Sequence, residues 1–341
     1  MSNLYKLRLK GHIMGNKPGI LLVNLGSPDE PTAKSVRKYL FQFLHDKRVI
    51  DTSRWIWCWI LHGIILRIRP ARSAKAYSKV WGDPINDAPL VAITRLQAKG
   101  INDEIQDIAE VEVAMRYGNP SIDYALKKLE DKGCKQIGVL PLYPQFAGAT
   151  TASVYDGVAK ALVKRKDIPE LRFLRHYYND KRFIKILSKS LKRHLQTLSW
   201  KPDIIITSYH GLPQSYVDKG DPYQKECIET TELLKKEVGD LGSKIITTFQ
   251  SRFGPKAWLQ PYTDKTIEGL PKKDIKNVVV IMPGFSADCL ETLEEISIEA
   301  KEIFMDAGGT NFSAVPCLNH SKEHTKFLSN LIKERLLVGW L

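Results

Sequence analysis

The run "NVVVIMPGFSADCLETLEEI", residues 277–296, changes period halfway along. Residues 278–282 are apolar and mostly β-branched, and they stop at Pro283-Gly284. That pattern predicts a parallel strand buried on both faces. The next residues predict a helix whose first turns carry Asp288, Glu291, Glu294 and Glu295. Ligands of α/β proteins bind beyond the carboxyl ends of such strands. The carboxylates therefore have two readings. They are ordinary helix-start acids, with Asp288 and Glu291 spaced as a capping box, or they form a site for a cation or for protons. Glu291 and Glu295 share a helix face, where like charges repel; the capping reading does not explain Glu295. Glu294 is expected to point elsewhere and be solvated.

The same rhythm recurs along the chain. Strand-like runs at 19–26, 111–118, 136–144, 203–211 and 244–250 alternate with helical ones. Such alternation means βαβ units and parallel sheets. The two halves also match locally. "RYGNP" begins at Arg116 and "RFGP" at Arg252, 136 positions apart; "VLPLYPQFA" begins at Val139 and "VVIMPGFSA" at Val279, 140 apart. A fainter match pairs "LLVNLGSP" with "IITSYHGLP". The expectation is two similar α/β, Rossmann-like domains whose parallel sheets face a central cleft. Residues 15–170 form the first and 171–309 the second, with a C-terminal helix over 310–341 packing back on the first.

Composition narrows the function classes. The chain has 341 residues, and 43% apolar content is enough for real cores. A net charge of +13 suits a lysine-rich surface, or else an anionic partner. No zinc finger, RNA-binding signature or basic heptad appears, so nucleic acid is not expected. Five scattered cysteines without a C-x-x-C argue against disulfides and a cysteine metal cage. The N-terminus is basic but lacks an apolar signal core, and the scattered cysteines fit a reducing compartment; the expectation is a cytoplasmic protein, peripheral at the inner membrane. Residues 55–66, "WIWCWILHGIIL", are too short to span a bilayer. With Trp55, Trp57, Trp59 and flanking arginines, they make a core helix, the apolar lip of a pocket, or a helix resting on a membrane interface.

Chemistry concentrates at strand ends. His210 follows the strand at 203–207 and precedes a Gly-Leu-Pro turn, where histidine can accept a proton or bind metal. "QSRFGPKAWLQPYTD", residues 250–264, is either a packed loop around Trp258 or a platform for a flat, anionic ligand. "YPQFAGATTASVYDG", residues 143–157, is its first-half counterpart and could hold an anion. His320 and His324 stand four apart, a weak metal pair without a third ligand. No G-x-G-x-x-G, Walker or G-x-S-x-G motif supports a dinucleotide enzyme, NTPase or hydrolase.

Taken in order, "LLVNLGSPDEPT", "FLHDKRVID", "ILHGIILRIRP", "AMRYGNP", "PLYPQF", "SYHGLP", "GDPYQKEC", "QSRFGPKAWLQPYTD" and "PGFSADCLETLEEI" make the chain resemble the ferrochelatases over nearly its whole length. The resemblance implies a class II chelatase-like fold. It implies a lyase that inserts ferrous iron into protoporphyrin IX, releasing two protons, in the last step of haem biosynthesis. It puts the essential histidine at His210 and the glutamate at Glu291, both as catalytic and metal-binding groups, with Glu295 and Asp288 on an acidic line from them. Leu25 matches a residue contacting the macrocycle or metal on the opposite face. Arg116, Tyr117, Tyr143, Ser251 and Trp258 match porphyrin-cleft positions, and the stretch near residue 57 matches an apolar lip. Iron entry from the acidic side and from the side of Leu25 both fit. Expected partners are protoporphyrin IX and Fe²⁺ as substrates, with peripheral membrane contact through residues 55–66, and a monomer or weak dimer. No retained cofactor is expected, and no iron–sulfur cluster, because Cys317 is the only late cysteine. Lys256 and Ala88 depart from the family, which often has an acid and a serine there. Two further readings stay open: another tetrapyrrole chelatase, using coproporphyrin or cobalt, and a two-domain binding protein without chemistry.

Overall fold

A computed structural model describes residues 17–82 and 87–341. The basic N-terminal stretch before Lys17 and residues 83–86 of the "WGDPINDAPL" loop lie outside the described residues. Among the described residues, eight strands form two four-stranded parallel sheets of identical topology. The first has the order β2-β1-β3-β4, with β1 (Gly19–Asn24), β2 (Glu110–Met115), β3 (Gln136–Pro141) and β4 (Glu170–Phe173). The second has the order β6-β5-β7-β8, with β5 (Ile204–His210), β6 (Ile245–Gln250), β7 (Asn277–Ile281) and β8 (Asn311–Ala314). The sequence pairs fall on equivalent strands: β1 with β5, the ends of β2 with β6, and β3 with β7. Residues 310–314 were expected in the terminal helix. Instead Asn311–Ala314 completes the second sheet, pairing Val278 with Phe312 and Val280 with Ala314.

In the first half the helices are α1 (Ala33–Leu44), α2 (Arg54–Ile60), α3 (Leu66–Val80), α4 (Pro89–Ile105), α5 (Ile122–Asp131) and α6 (Ser153–Leu162). In the second they are α7 (Lys181–Gln196), α8 (Gln214–Asp218), α9 (Tyr223–Val238), α10 (Thr263–Gly269), α11 (Lys301–Asp306) and α12 (Lys322–Arg335). Local chemistry starts several of them. Thr32 Oγ1 accepts from Ser35 N–H at 3.3 Å before α1, and Ser121 Oγ accepts from Tyr124 N–H at 3.2 Å before α5.

Strand alternation sorts the cores. Ile20 and Leu22 of β1 face one cluster, while Leu21 and Val23 face another with α5 and α6. In β7, Val279 and Ile281 join Ile20 and Leu22, whereas Val278 and Val280 face α10 and α11. The shared cluster also takes Ile101 of α4 and Leu328 and Leu331 of α12, so both sheets lean on one core. All four β1 side chains are fully buried, each contributing about 1.5–3 kcal/mol. Helix α12 packs on α4 so closely that a Cβ on Gly100 would sit 2.9 Å from Thr325 Cγ2.

Helices α2 and α3 run on through a π-turn at Leu61–Ile65. Pro70 lies inside α3 and cannot donate to the carbonyl four residues back. Arg37 Nε fills that place, donating to Leu66 O at 2.8 Å. Trp57 and Leu61 anchor the lip on α1. Trp55, Ile56, Trp59, Ile64 and Ile68 stay exposed, Trp55 at 83% and Trp59 at 78%. No helix among the described residues is long and apolar enough to cross a membrane.

Candidate active site

His210 ends β5 directly opposite Gln250 of β6. Its Nδ1–H donates to Gly211 O at 2.7 Å, which leaves Nε2 as the acceptor. The following chain passes very close to β6: a Cβ on Gly211 would be 2.7 Å from Gln250 O and 3.1 Å from Trp258 Cε3. Half-buried Trp258 is thereby set beside the histidine, and its indole N–H donates to Phe253 O at 2.9 Å.

The acidic segment is a ten-residue π-helix, Glu291–Ala300. With i→i+5 bonding a turn takes slightly more than four residues, so residues four apart lie near one face, while Glu294, three from Glu291, is turned away. Glu291 and Glu295 stack in this way. Glu295 accepts from Ser251 N–H at 2.7 Å, from Gln250 Nε2 at 3.2 Å and from the Ser251 hydroxyl. Ser251 adopts a positive φ of 65°, which turns both of its donors toward the carboxylate. Gln250 is fixed in turn: its Oε1 accepts from Ser208 Oγ at 2.7 Å, and its Nε2 also donates to Glu291 O at 2.9 Å. Burial raises the proton affinity of Glu295, and the Glu291 charge adds to that; the Ser251 bond and His210 oppose it and do not prevail.

Glu294 differs from expectation. It is buried, and its Oε1 pairs with Lys79 Nζ of α3 at 2.7 Å, tying the π-helix to the lip. Asp288 does not form the capping box. Its Oδ1 accepts from Thr292 Oγ1 at 2.9 Å and Cys317 N–H at 3.3 Å, and its Oδ2 from Asn319 Nδ2 at 2.6 Å. Both oxygens are engaged, so Asp288 anchors the start of the helix to the loop before α12. His320 and His324 do not converge. His320 lies exposed ahead of α12, while His324 is buried with Nδ1 donating to Asn319 O at 2.7 Å. Burial drops its affinity for a proton to a pKa of about 4.

The first sheet supplies the other wall. Leu25 follows β1 and packs against the cluster of Leu90, Ala287 and Cys289. Gly26 carries a φ of 104°, and a Cβ there would lie 1.8 Å from Tyr117 O, so the loop of Leu25 is seated on the loop of Tyr117. Arg116 donates to Asp46 Oδ2 at 2.6 Å and to Ser153 O at 2.7 Å, and Tyr117 OH to Asp46 Oδ2 at 2.7 Å. Burial works against the Asp46 charge, but the Ser153 hydroxyl, Arg48 N–H, Tyr117 and Arg116 outweigh it and lower its pKa. The Tyr143 hydroxyl is buried without a partner.

The structure adds residues that motif reading did not single out. Tyr39 of α1 and Tyr77 of α3 are buried and feel the Glu291 charge; burial first, and Glu291 with it, raise both phenols. Cys289 is also buried against Glu291, and its thiol is pushed up mainly by burial. Arg69 of α3 stacks 4.5 Å from the Phe253 ring centroid, joining the lip to the loop after β6. Burial lowers its pKa and the Glu291 charge opposes that. Arg69 belongs to the arginine-rich run of residues 67–72, and its stacking partner is 184 positions away. Among the described residues no group of three His, Cys, Asp or Glu side chains is arranged to hold a metal. The site offers one imidazole nitrogen, two carboxylates four apart on the π-helix and several buried phenols: groups able to move protons and to meet a metal ion.

The family model described as Ferrochelatase matches residues 17–336. A curated protein named Ferrochelatase from Bradyrhizobium sp. strain BTAi1 is 51% identical over 325 residues, covering 95% of this chain and 92% of the relative. Another of that name, from Brucella canis, is 48% identical over 329 residues, covering 95% and 93%. Among solved structures, SirB from Bacillus subtilis with Fe³⁺ superposes with a TM-score of 0.56 at 13% identity, covering 94% of this chain and 96% of that one. The sirohydrochlorin chelatase SirB from Bacillus subtilis subspecies spizizenii in complex with cobalt gives 0.52 at 12% identity, covering 95% and 97%. At such identities these two speak for the fold alone.

Proposed function

The chain belongs to the ferrochelatase family, and from that premise we propose how its own residues perform the reaction. It is a lyase that inserts ferrous iron into protoporphyrin IX in haem biosynthesis. Free-base porphyrin carries two N–H protons and a small, flat nitrogen hole. Insertion must expose the nitrogen lone pairs, remove both protons and strip water from Fe²⁺. Leu25, Trp258 and the tyrosines form walls on two sides of the macrocycle, and a rigid cleft that favours a bent ring spends binding energy in the transition state.

His210 takes the pyrrole protons. Its Nδ1–H is committed to Gly211 O, so Nε2 faces the cleft as the base, and the same carbonyl steadies the imidazolium once it forms. Glu291 receives the proton next and Glu295 after it. The raised proton affinity of Glu295 suits a relay station that must hold a proton between transfers. The Ser251 hydroxyl, on the loop leading to exposed Arg252, is the exit to solvent. Glu299 does not extend the line, because its acidic neighbours are Glu294 and Glu302. Arg116, saturated by Asp46 and Ser153, shapes the wall and holds Tyr117 in place. Asp288 supports Glu291 from behind. His210 and Glu291 are also the groups that meet the iron in transit.

The exposed face of α2, the π-turn and α3 rests on a membrane surface, with the arginines around Arg67 at its edge, and receives the greasy dicarboxylate substrate there. The protein works in the cytoplasm, at the inner membrane, as a monomer or weak dimer. The observation that carries the mechanism is the His210 ring, locked at Nδ1 and open at Nε2 beside the stacked carboxylates. It is tested by anaerobic insertion of Fe²⁺ into protoporphyrin IX by His210→Ala and Glu291→Gln. Both are expected to bind porphyrin and to lose turnover about a hundredfold or more. Turnover near the unmodified rate in either would remove that residue from the relay.

A further inference from the structure

Another pair of histidines stands outside the His210–Glu291–Glu295 set. His45 closes the C-terminus of α1, and His62 stands in the π-turn between α2 and α3. Their Nε2 atoms approach to 3.3 Å, with ring planes 65° apart. His45 Nδ1–H donates to Phe41 O at 2.7 Å, which fixes the ring and leaves Nε2 with its lone pair. That backbone carbonyl bond is the support that metal-bound histidines commonly have. The Phe41 ring packs behind both imidazoles, at 4.2 Å from His45 and 5.7 Å from His62. The backbone beneath is held as well: Arg54 donates to His45 O, and Trp57 Nε1 to Leu44 O at 2.7 Å.

We propose that His45 and His62 form a two-imidazole binding site for a divalent first-row transition ion at the foot of the lip. Two nitrogens each 2.0–2.1 Å from a tetrahedral ion stand about 3.3 Å apart, so the pair already has the bite such an ion needs. The ion takes the place of the proton shared between the two Nε2 atoms, and His62 carries its own proton on Nδ1 instead. His62 is exposed and His45 half-exposed, so water completes the coordination shell. With two protein ligands, and the Arg54 cation nearby, the site binds loosely and exchanges freely. Imidazole selects Zn²⁺, Ni²⁺, Cu²⁺ or Fe²⁺ over Mg²⁺ and Ca²⁺. Occupancy cross-links the end of α1 to the lip helix.

The test is a titration of the whole protein with Zn²⁺ alone, in a His210→Ala background so that the cleft histidine does not contribute. Calorimetry counts the equivalents and NMR follows the histidine ring resonances. One equivalent is expected to shift both the His45 and the His62 resonances. His45→Ala and His62→Asn are each expected to weaken that same equivalent at least tenfold, while Mg²⁺ leaves the rings unmoved. Circular dichroism checks that the variants fold. An isotherm indifferent to both substitutions, or one that responds to only one of them, would overturn the shared site and leave a hydrogen-bonded imidazole pair.

Discussion

Replacing Glu295 with glutamine separates the structural from the catalytic part of the relay. The carboxylate accepts from Ser251 N–H at 2.7 Å, from Gln250 Nε2 at 3.2 Å and from the Ser251 hydroxyl. A glutamine oxygen can keep the Ser251 N–H bond, and its amide nitrogen can donate to Ser251 Oγ. It then opposes Gln250 Nε2, donor against donor. Gln250 cannot turn over without setting its own oxygen against Glu291 O. One buried polar contact is therefore lost, at about 1–2 kcal/mol. Against that, wild-type Glu295 carries a proton affinity raised by burial. Its contribution to stability is fully present below the pKa of the unfolded chain, about 4.3, and is lost as pH rises through the higher folded value. Glutamine does not titrate. Urea denaturation from pH 5 to 9 is expected to show the wild type ahead at the acid end, with its advantage shrinking as pH rises. Iron insertion at pH 8 is expected to fall about a hundredfold with little change in porphyrin affinity. A stability difference constant across pH would refute the raised proton affinity. Turnover within twofold of wild type would refute the place of Glu295 in the relay.

Glu294→Gln breaks the pair with Lys79 without touching the relay, so turnover should fall severalfold at most, while limited proteolysis cuts the 54–80 lip faster. A loss of turnover as deep as that of Glu291→Gln would mean that the two helix faces have been misassigned. Changing Trp55 and Trp59 together to serine removes the two most exposed tryptophans of the lip, and flotation with anionic vesicles is expected to drop at least tenfold while activity on detergent-dispersed porphyrin persists. Unchanged flotation would remove the membrane contact. All five cysteines are free, with Cys134, Cys227 and Cys289 buried in separate clusters. The purified protein is therefore expected to contain no acid-labile sulfide, and chelator treatment should leave its fold intact; stoichiometric sulfide would contradict this.

The sheets were legible because buried parallel strands write continuous apolar runs. Residues 19–24 and 277–281 announce themselves without tertiary information, and the matched segments gave the equivalence of the halves. The place of His210 at the end of a strand was legible from the apolar run that precedes it. The π-helix was not, because i→i+5 bonding over Glu291–Ala300 leaves no mark in the spacing of side chains. Glu294 read as solvated because its partner Lys79 stands 215 positions earlier. Asp288 read as a cap because Asn319 and Cys317 arrive from beyond the next helix and strand. Residues 311–314 read as helix because a four-residue edge strand is too short to show alternation. Tyr39, Tyr77 and Arg69 belong to helices whose periodicity marks them as core or surface, and only the packing of the lip turns them toward Glu291.

The most direct test is single-turnover insertion of Fe²⁺ into bound protoporphyrin IX by His210→Ala, with free imidazole added in steps. If His210 Nε2 is the proton acceptor, insertion is nearly absent without imidazole and its rate climbs with imidazole concentration, while porphyrin occupancy stays constant. Fast insertion without imidazole, or a slow rate that no concentration of imidazole raises, would contradict it.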